Sequence, residues 1–138
     1  MSAVLVDSNI LIDIATENTV WTEDAARTLQ AVGRDRELVI NPVVFAEVSI
    51  PFERVEEVDE RLPTDVFRRE AIPWEAAFLA GKVFVAYRRN KGERRSPLPD
   101  FFIGAHAAVR GYGLLTRDRS NFRTYFPTLE IITPDIQA

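Results

Sequence analysis

The sequence predicts an α/β domain in which a mostly parallel sheet is covered by helices on both faces. Three features carry that expectation. Short runs such as AVLV (3–6), LVI (38–40), LL (114–115) and LEII (129–132) are too short for helices, and runs this apolar suit strands buried on both faces. The longer segments between them repeat apolar residues at helical spacing, and strands that alternate with helices build parallel sheets. A chain of 138 residues, 46% hydrophobic and 28% charged, is long enough for a single domain, residues 1–138, with a real core.

Each element has a local reason. Asp7 ends the first strand, and Ser8 stands where it can cap a helix whose Ile10, Leu11 and Ile14 share a face. A second helix runs from a Thr22 cap through Ala26, Leu29 and Val32 to Gly33. Leu38–Ile40 form a strand, Asn41 a cap, and Pro42 the first turn of a helix holding Val43, Val44, Phe45, Glu47 and Val48, which Pro51 ends. Residues 53–62 keep Val55, Val58 and Leu62 at helical spacing among charges, as in a surface helix, and a strand is expected within 66–72. PWEAAFLAGKVFVAYRR (73–89) is the longest helix. After the loop NKGERRSPLP, Pro99 and Asp100 open another helix, with Gly111 and Gly113 marking its tail; the strand Leu114–Leu115 then ends at Thr116, and LEII closes the sheet.

Composition excludes several chemistries. With no cysteine there is no disulfide, thiolate metal site or cysteine nucleophile, and a reducing compartment fits. A single histidine means that any metal site is built mainly from carboxylates, whose oxygens favour magnesium, manganese or calcium. The start, MSAVLVDSNILIDI, has no basic leader and is interrupted by Asp7 and Asp13, so a cytoplasmic protein with no membrane span is expected. GxGxxG, GxxxxGK[ST] and HExxH are absent. The net charge of -4 argues against non-specific coating of nucleic acid, but it is unevenly spread. RRNKGERR (88–95) carries a local +4 on a body at -8.

Four acids stand where a parallel sheet would bring them together: Asp7 after the first strand, Glu47 on the helix after the second, Asp100 opening a helix, and Asp118 just after LLT. Ligand crevices of open α/β sheets lie beyond the C-terminal ends of the strands, where Asp7 and Asp118 fall. Taken singly, each acid has a plainer role. Asp7 and Asp118 suit turns, Asp100 suits the positive end of its helix, and Glu47 could occupy an exposed helix position despite its apolar neighbours. If the four share one crevice, each pair at about 4 Å repels by roughly 4 kcal/mol at an effective dielectric near 20. A divalent cation would relieve that repulsion and could turn bound water into a nucleophile for a phosphodiester. Asn9, Thr116 and Asn121 can hydrogen-bond carboxylates or water beside it.

D-S-N at Asp7 to Asn9 after an apolar strand, Glu47 on a helix, P-D at Pro99 and Asp100, and L-L-T-R-D ending at Asp118 together resemble a PIN-domain ribonuclease. The length is similar to that of the VapC-type toxins of bacterial and archaeal toxin–antitoxin pairs, and the likeness covers nearly the whole chain. The resemblance implies a PIN-like three-layer sandwich and an endoribonuclease in which Asp7, Glu47, Asp100 and Asp118 are catalytic and hold Mg2+ or Mn2+. It also implies a VapB-like antitoxin and a homodimer. Some relatives place a further acid shortly after the fourth; here Asn121 is the nearby polar residue.

Arginine forks can grip phosphates, so Arg88, Arg89, Lys91, Arg94, Arg95 and Arg117 are candidate RNA contacts. His106, in GAHAAV, is expected to be packed or capped, and Trp21, Trp74 and Tyr87 to serve the core or an interface before they serve as base platforms. Val20 and Trp21, or Val55 and Val58, are candidate docking positions for an amphipathic partner segment. Two alternatives remain: a PIN module that only binds RNA or protein, and an aspartate-based phosphohydrolase. The second wants another Asp where Asn9 stands.

Overall fold

In the computed structural model, which describes residues 2–17, 20–90 and 98–134, five parallel strands form one sheet in the order β3-β2-β1-β4-β5. They are β1 (Val4–Val6), β2 (Leu38–Ile40), β3 (Phe67–Arg69), β4 (Gly113–Leu115) and β5 (Ile131–Ile132). Every residue of β1, β2 and β4 is buried, which explains their unbroken apolar sequences.

α1 (Ser8–Thr16) and α2 (Thr22–Asp35) connect β1 to β2, and α3 (Pro42–Ser49) and α4 (Val55–Arg61) connect β2 to β3. α5 (Trp74–Arg89) and α6 (Leu98–Arg110) return the chain past β1 to β4, and α7 (Arg119–Tyr125) leads to β5. The chain therefore travels one way from β1 to β3 and the opposite way from β3 to β5. Right-handed crossovers then put α1–α4 on one face and α5–α7 on the other. β1 and β4, which are neighbours, send their chains to opposite faces, and such a switch point opens a crevice at the strands' C-terminal ends. No helix among the described residues is long and apolar enough to cross a membrane.

Several local expectations hold in detail. The Asn41 side chain accepts the Val44 N–H at 2.9 Å with Pro42 in the first turn, and Gly111 takes a left-handed φ of 70° just after α6. Others are corrected. Asp7 occupies the N-cap position of α1, so Ser8 lies inside the helix and its hydroxyl is free for other work. The Thr22 hydroxyl donates to the Asp13 carbonyl at 2.8 Å instead of capping α2, which continues past Gly33 to Asp35. Gly113 belongs to β4, where its N–H donates to the Ala3 carbonyl, and not to the tail of α6. Val58 and Leu62 of the charged α4 segment are core residues, which removes Val58 as a docking position; Val55 is exposed. α7 was not foreseen, because RSNFRTY buries only Phe122.

Candidate active site

Asp7 stands at the C-terminal end of β1, and its N–H still pairs with the Leu115 carbonyl of β4 at 2.8 Å. Its carboxyl is buried, and Oδ2 accepts the Thr116 hydroxyl at 2.7 Å. That hydroxyl is fully used. It also accepts from Asn9 Nδ2 at 3.3 Å and from the Asp118 N–H at 3.0 Å, while Asn9 Oδ1 accepts the Arg117 N–H at 3.3 Å. The start of α1 and the chain leaving β4 are thus bound together around Asp7.

Glu47 approaches from α3. Its apolar neighbours make a carboxylate costly without a partner, and the partner is Ser8, whose hydroxyl donates to Glu47 Oε1 at 2.7 Å and lies 3.4 Å from Asp7 Oδ1. The sequence signal for this role was available: a hydroxyl beside a buried acid at a helix start can face either the backbone or a third element. Asp100 is half-buried in the first turn of α6, with Asn121 Nδ2 at 3.5 Å from its Oδ2, and Asp118 is exposed at the N-cap of α7.

Electrostatics couples the acids. Burial pushes the Asp7 carboxyl up to about 7, the Thr116 hydrogen bond pulls it back, and the charges of Asp100 and Glu47 add to the rise. Asp100 is raised to about 6, first by burial and then by Glu47 and Asp118. Asp7 and Asp100 are thus both raised by acidic neighbours, with Glu47 common to the two.

This donor set is all oxygen, which fits a hard divalent cation, and the raised Asp7 and Asp100 are the groups whose ionisation such a cation would favour. Among the described residues no three His, Cys, Asp or Glu side chains form a ready-made ligand cluster. Magnesium does not require one, since it keeps several waters and commonly takes only one or two carboxylates.

The candidate RNA contacts divide into three groups. Arg88 and Arg89 are exposed at the end of α5, with the Arg88 guanidinium 5.9 Å from the Phe84 ring centre. Arg117 is engaged within the fold: its Nε lies 3.4 Å from Asp13 Oδ2 and its guanidinium 5.4 Å from the Trp21 ring centre. Lys91, Arg94 and Arg95 lie outside the described residues. Beside Glu47 an apolar hollow of about 500 Å³ is lined by Pro42, Val43, Ala46, Leu98, Pro99 and Phe102. A larger one, about 710 Å³, lies between α2 and the β2–β3 edge and is lined by none of the four acids.

A PIN domain model matches residues 4–126. The fold is similar to a chain in the crystal structure of VapBC2 from Rickettsia felis bound to a promoter DNA fragment, with a TM-score of 0.74 at 15% identity, covering 98% of this chain and 100% of that one. It is also similar to VapBC-1 from nontypeable Haemophilus influenzae (TM-score 0.71, 17% identity, 96% and 98% covered). A toxin–antitoxin complex from Klebsiella pneumoniae gives a TM-score of 0.66 at 22% identity, with 96% and 98% covered. Identities this low establish the fold alone. No curated protein sequence matches the chain.

Proposed function

The chain belongs to the PIN domain family, and from that membership we propose that it is a metal-dependent endoribonuclease, the toxin of a toxin–antitoxin pair. The observation that supports the reading is geometric: the Ser8 hydroxyl links Glu47 to Asp7 at the end of β1, and Asn121, three residues after Asp118, reaches Asp100, while Asp7 and Asp100 are both raised by burial and by acidic neighbours. A fold gains nothing from repulsive carboxylates packed around a buried one, whereas a cation site needs them.

In this reading Asp7 and Asp100 would hold Mg2+ or Mn2+, with Glu47 and Asp118 completing the shell directly or through water. The ion would supply a polarised water and neutralise charge on an RNA phosphodiester. The protein's own contribution is orientation. Thr116 fixes one oxygen of Asp7, Ser8 fixes one oxygen of Glu47, and Asn9 keeps Thr116 in place. Arg88, Arg89, Lys91, Arg94 and Arg95 would draw the phosphate backbone toward Asp100.

The proposed partners are a second copy of this chain and a VapB-like antitoxin, all in the cytoplasm. Large apolar side chains left in water support partners of some kind: Trp74 is 88% exposed, Ile50 81% and Phe78 68%. Val20 and Val55, also exposed, suit an amphipathic antitoxin segment.

The test is cleavage of RNA by the purified protein in magnesium or manganese, with EDTA and Asp7→Asn or Asp100→Asn as controls. Activity should disappear in EDTA and fall by orders of magnitude in either variant. A parent that cuts equally well in EDTA, or an Asp7→Asn protein as fast as the parent, overturns the mechanism.

A further inference from the structure

We infer that His106 is a positioning residue that holds the helix of Asp100 against the helix of Glu47, an inference that rests on the proposed metal-dependent site. His106 lies on α6 six residues after Asp100 and is completely buried. Its two ring nitrogens reach two other parts of the fold. Nδ1 is 3.0 Å from Asn41 Nδ2, at the cap of α3, and Nε2 is 2.6 Å from Glu70 Oε2, just beyond β3.

The network fixes the tautomer. Asn41 Oδ1 is committed to the Val44 N–H at 2.9 Å, so the amide nitrogen faces the imidazole and must donate. Nδ1 therefore accepts, and the ring proton sits on Nε2, where it is donated to the Glu70 carboxylate. Glu70 is held ionised, well below the usual carboxylate range: burial opposes this, and the hydrogen bonds from His106, Tyr112 and Arg68 outweigh it. Tyr112 Oη donates to its Oε1 at 2.7 Å, Arg68 Nη1 reaches the same oxygen at 2.7 Å, and Arg110 Nε lies 3.4 Å from Oε2. Burial favours the neutral ring as well.

The imidazole is thus a strut joined at one end to Glu70, which Tyr112, Arg68 and Arg110 hold in place, and at the other to the cap of α3. Glu47 lies six residues beyond that cap and Asp100 six residues before the imidazole, each under two helical turns away. α3 and α6, although they cover opposite faces of the sheet, come into contact with one another. A metal site needs its first ligands held within about 0.5 Å, and the strut sets the height of one acid-bearing helix against the other.

The histidine can be split into its two halves. His106→Asn keeps an acceptor toward Asn41 and loses the reach to Glu70; His106→Gln keeps a donor toward Glu70 and loses the acceptor facing Asn41. The measurements are Mn2+ affinity by calorimetry and melting temperature, with Asp100→Asn as control. Positioning through Asn41 predicts that His106→Gln binds Mn2+ about tenfold more weakly while His106→Asn stays within about threefold of the parent, whatever each costs in melting temperature. If His106→Gln does not fold, Asn41→Ser, which keeps a helix cap but whose shorter side chain no longer reaches the imidazole, must show the same loss. Affinity equal to the parent in His106→Gln or Asn41→Ser, or loss that merely follows melting temperature in both His106→Gln and His106→Asn, overturns the inference alone. A parent that binds no Mn2+, or an Asp100→Asn protein that binds as well as the parent, overturns the proposed site and the inference with it.

Discussion

At Asp7 a carboxyl group is buried behind a strand end, with hydrogen bonds from Thr116 and Ser8 and two acidic neighbours, and the balance is unfavourable to its charge. Its folded pKa, about 7, lies above the ordinary 3.8, so the stability associated with its neutral form is complete below about pH 4 and is lost as pH rises through 7. Asp7→Asn removes that loss. In EDTA the variant should match the parent near pH 4 and melt progressively higher than it between pH 5 and 8, by several degrees at the top, since each pKa unit is worth about 1.4 kcal/mol. Added Mn2+ should reverse the order, because only the parent binds it well. Melting curves for the two proteins that stay parallel from pH 5 to 8 without metal would sink the electrostatic account. In the sequence Asp7 and Asp118 stand after apolar strands, Asp100 at a helix start and Glu47 within the helix after Asn41 and Pro42. What pairs with them was not legible there: the routes of the Ser8 hydroxyl to Glu47 and of Arg117 to Asp13 depend on elements 39 and 104 residues apart in the chain.

Elements were legible where sequence and burial agree. β1, β2 and β4 are apolar because both their faces are covered, and the Asn41–Pro42 pair marks α3 unambiguously. β3 was hard to bound because FRR carries two arginines with partners off the sheet, Glu37 and Glu70 for Arg68 and Asp59 for Arg69. α7 was invisible because a seven-residue helix held by one buried Phe shows no periodicity. One close contact between elements lies four residues after Asp100 on α6. A Cβ on Gly104 of α6 would collide with the Phe126 ring just after α7. Gly104→Ala should therefore cost about 1–3 kcal/mol in spite of alanine's better helix propensity, and Phe126→Leu should recover part of the loss. An unchanged or higher melting temperature in Gly104→Ala would rule out a steric role for the Phe126 ring at this position.

For the molecule as a whole, two surfaces remain to be explained by partners. If a second copy covers Trp74 and Phe78, light scattering at micromolar concentration should give a dimer for the parent and a monomer for the Trp74→Glu, Phe78→Glu double variant; a monomeric parent removes the dimer from the proposal.

The other surface is electrostatic, and it decides how a net acidic protein could hold RNA. The body at -8 repels a polyanion, so attraction must come from the segment 88–95, whose +4 precedes Asp100 in the chain. Arginines that contact phosphates release counterions, and on single strands each contact contributes about 0.7 to the slope of log affinity against log salt. In an Asp7→Asn background, where RNA is bound without being cut, replacing Arg94 and Arg95 by Ala should weaken binding and flatten that slope by about 1.4 while Mn2+ affinity stays nearly unchanged. Arg117→Ala makes the contrast. Because that guanidinium is spent on Asp13 and Trp21, its loss should lower melting temperature and leave the slope nearly as it was. A slope that is unmoved in the double variant, or one that drops instead with Arg117, would place the RNA on a different face of the molecule.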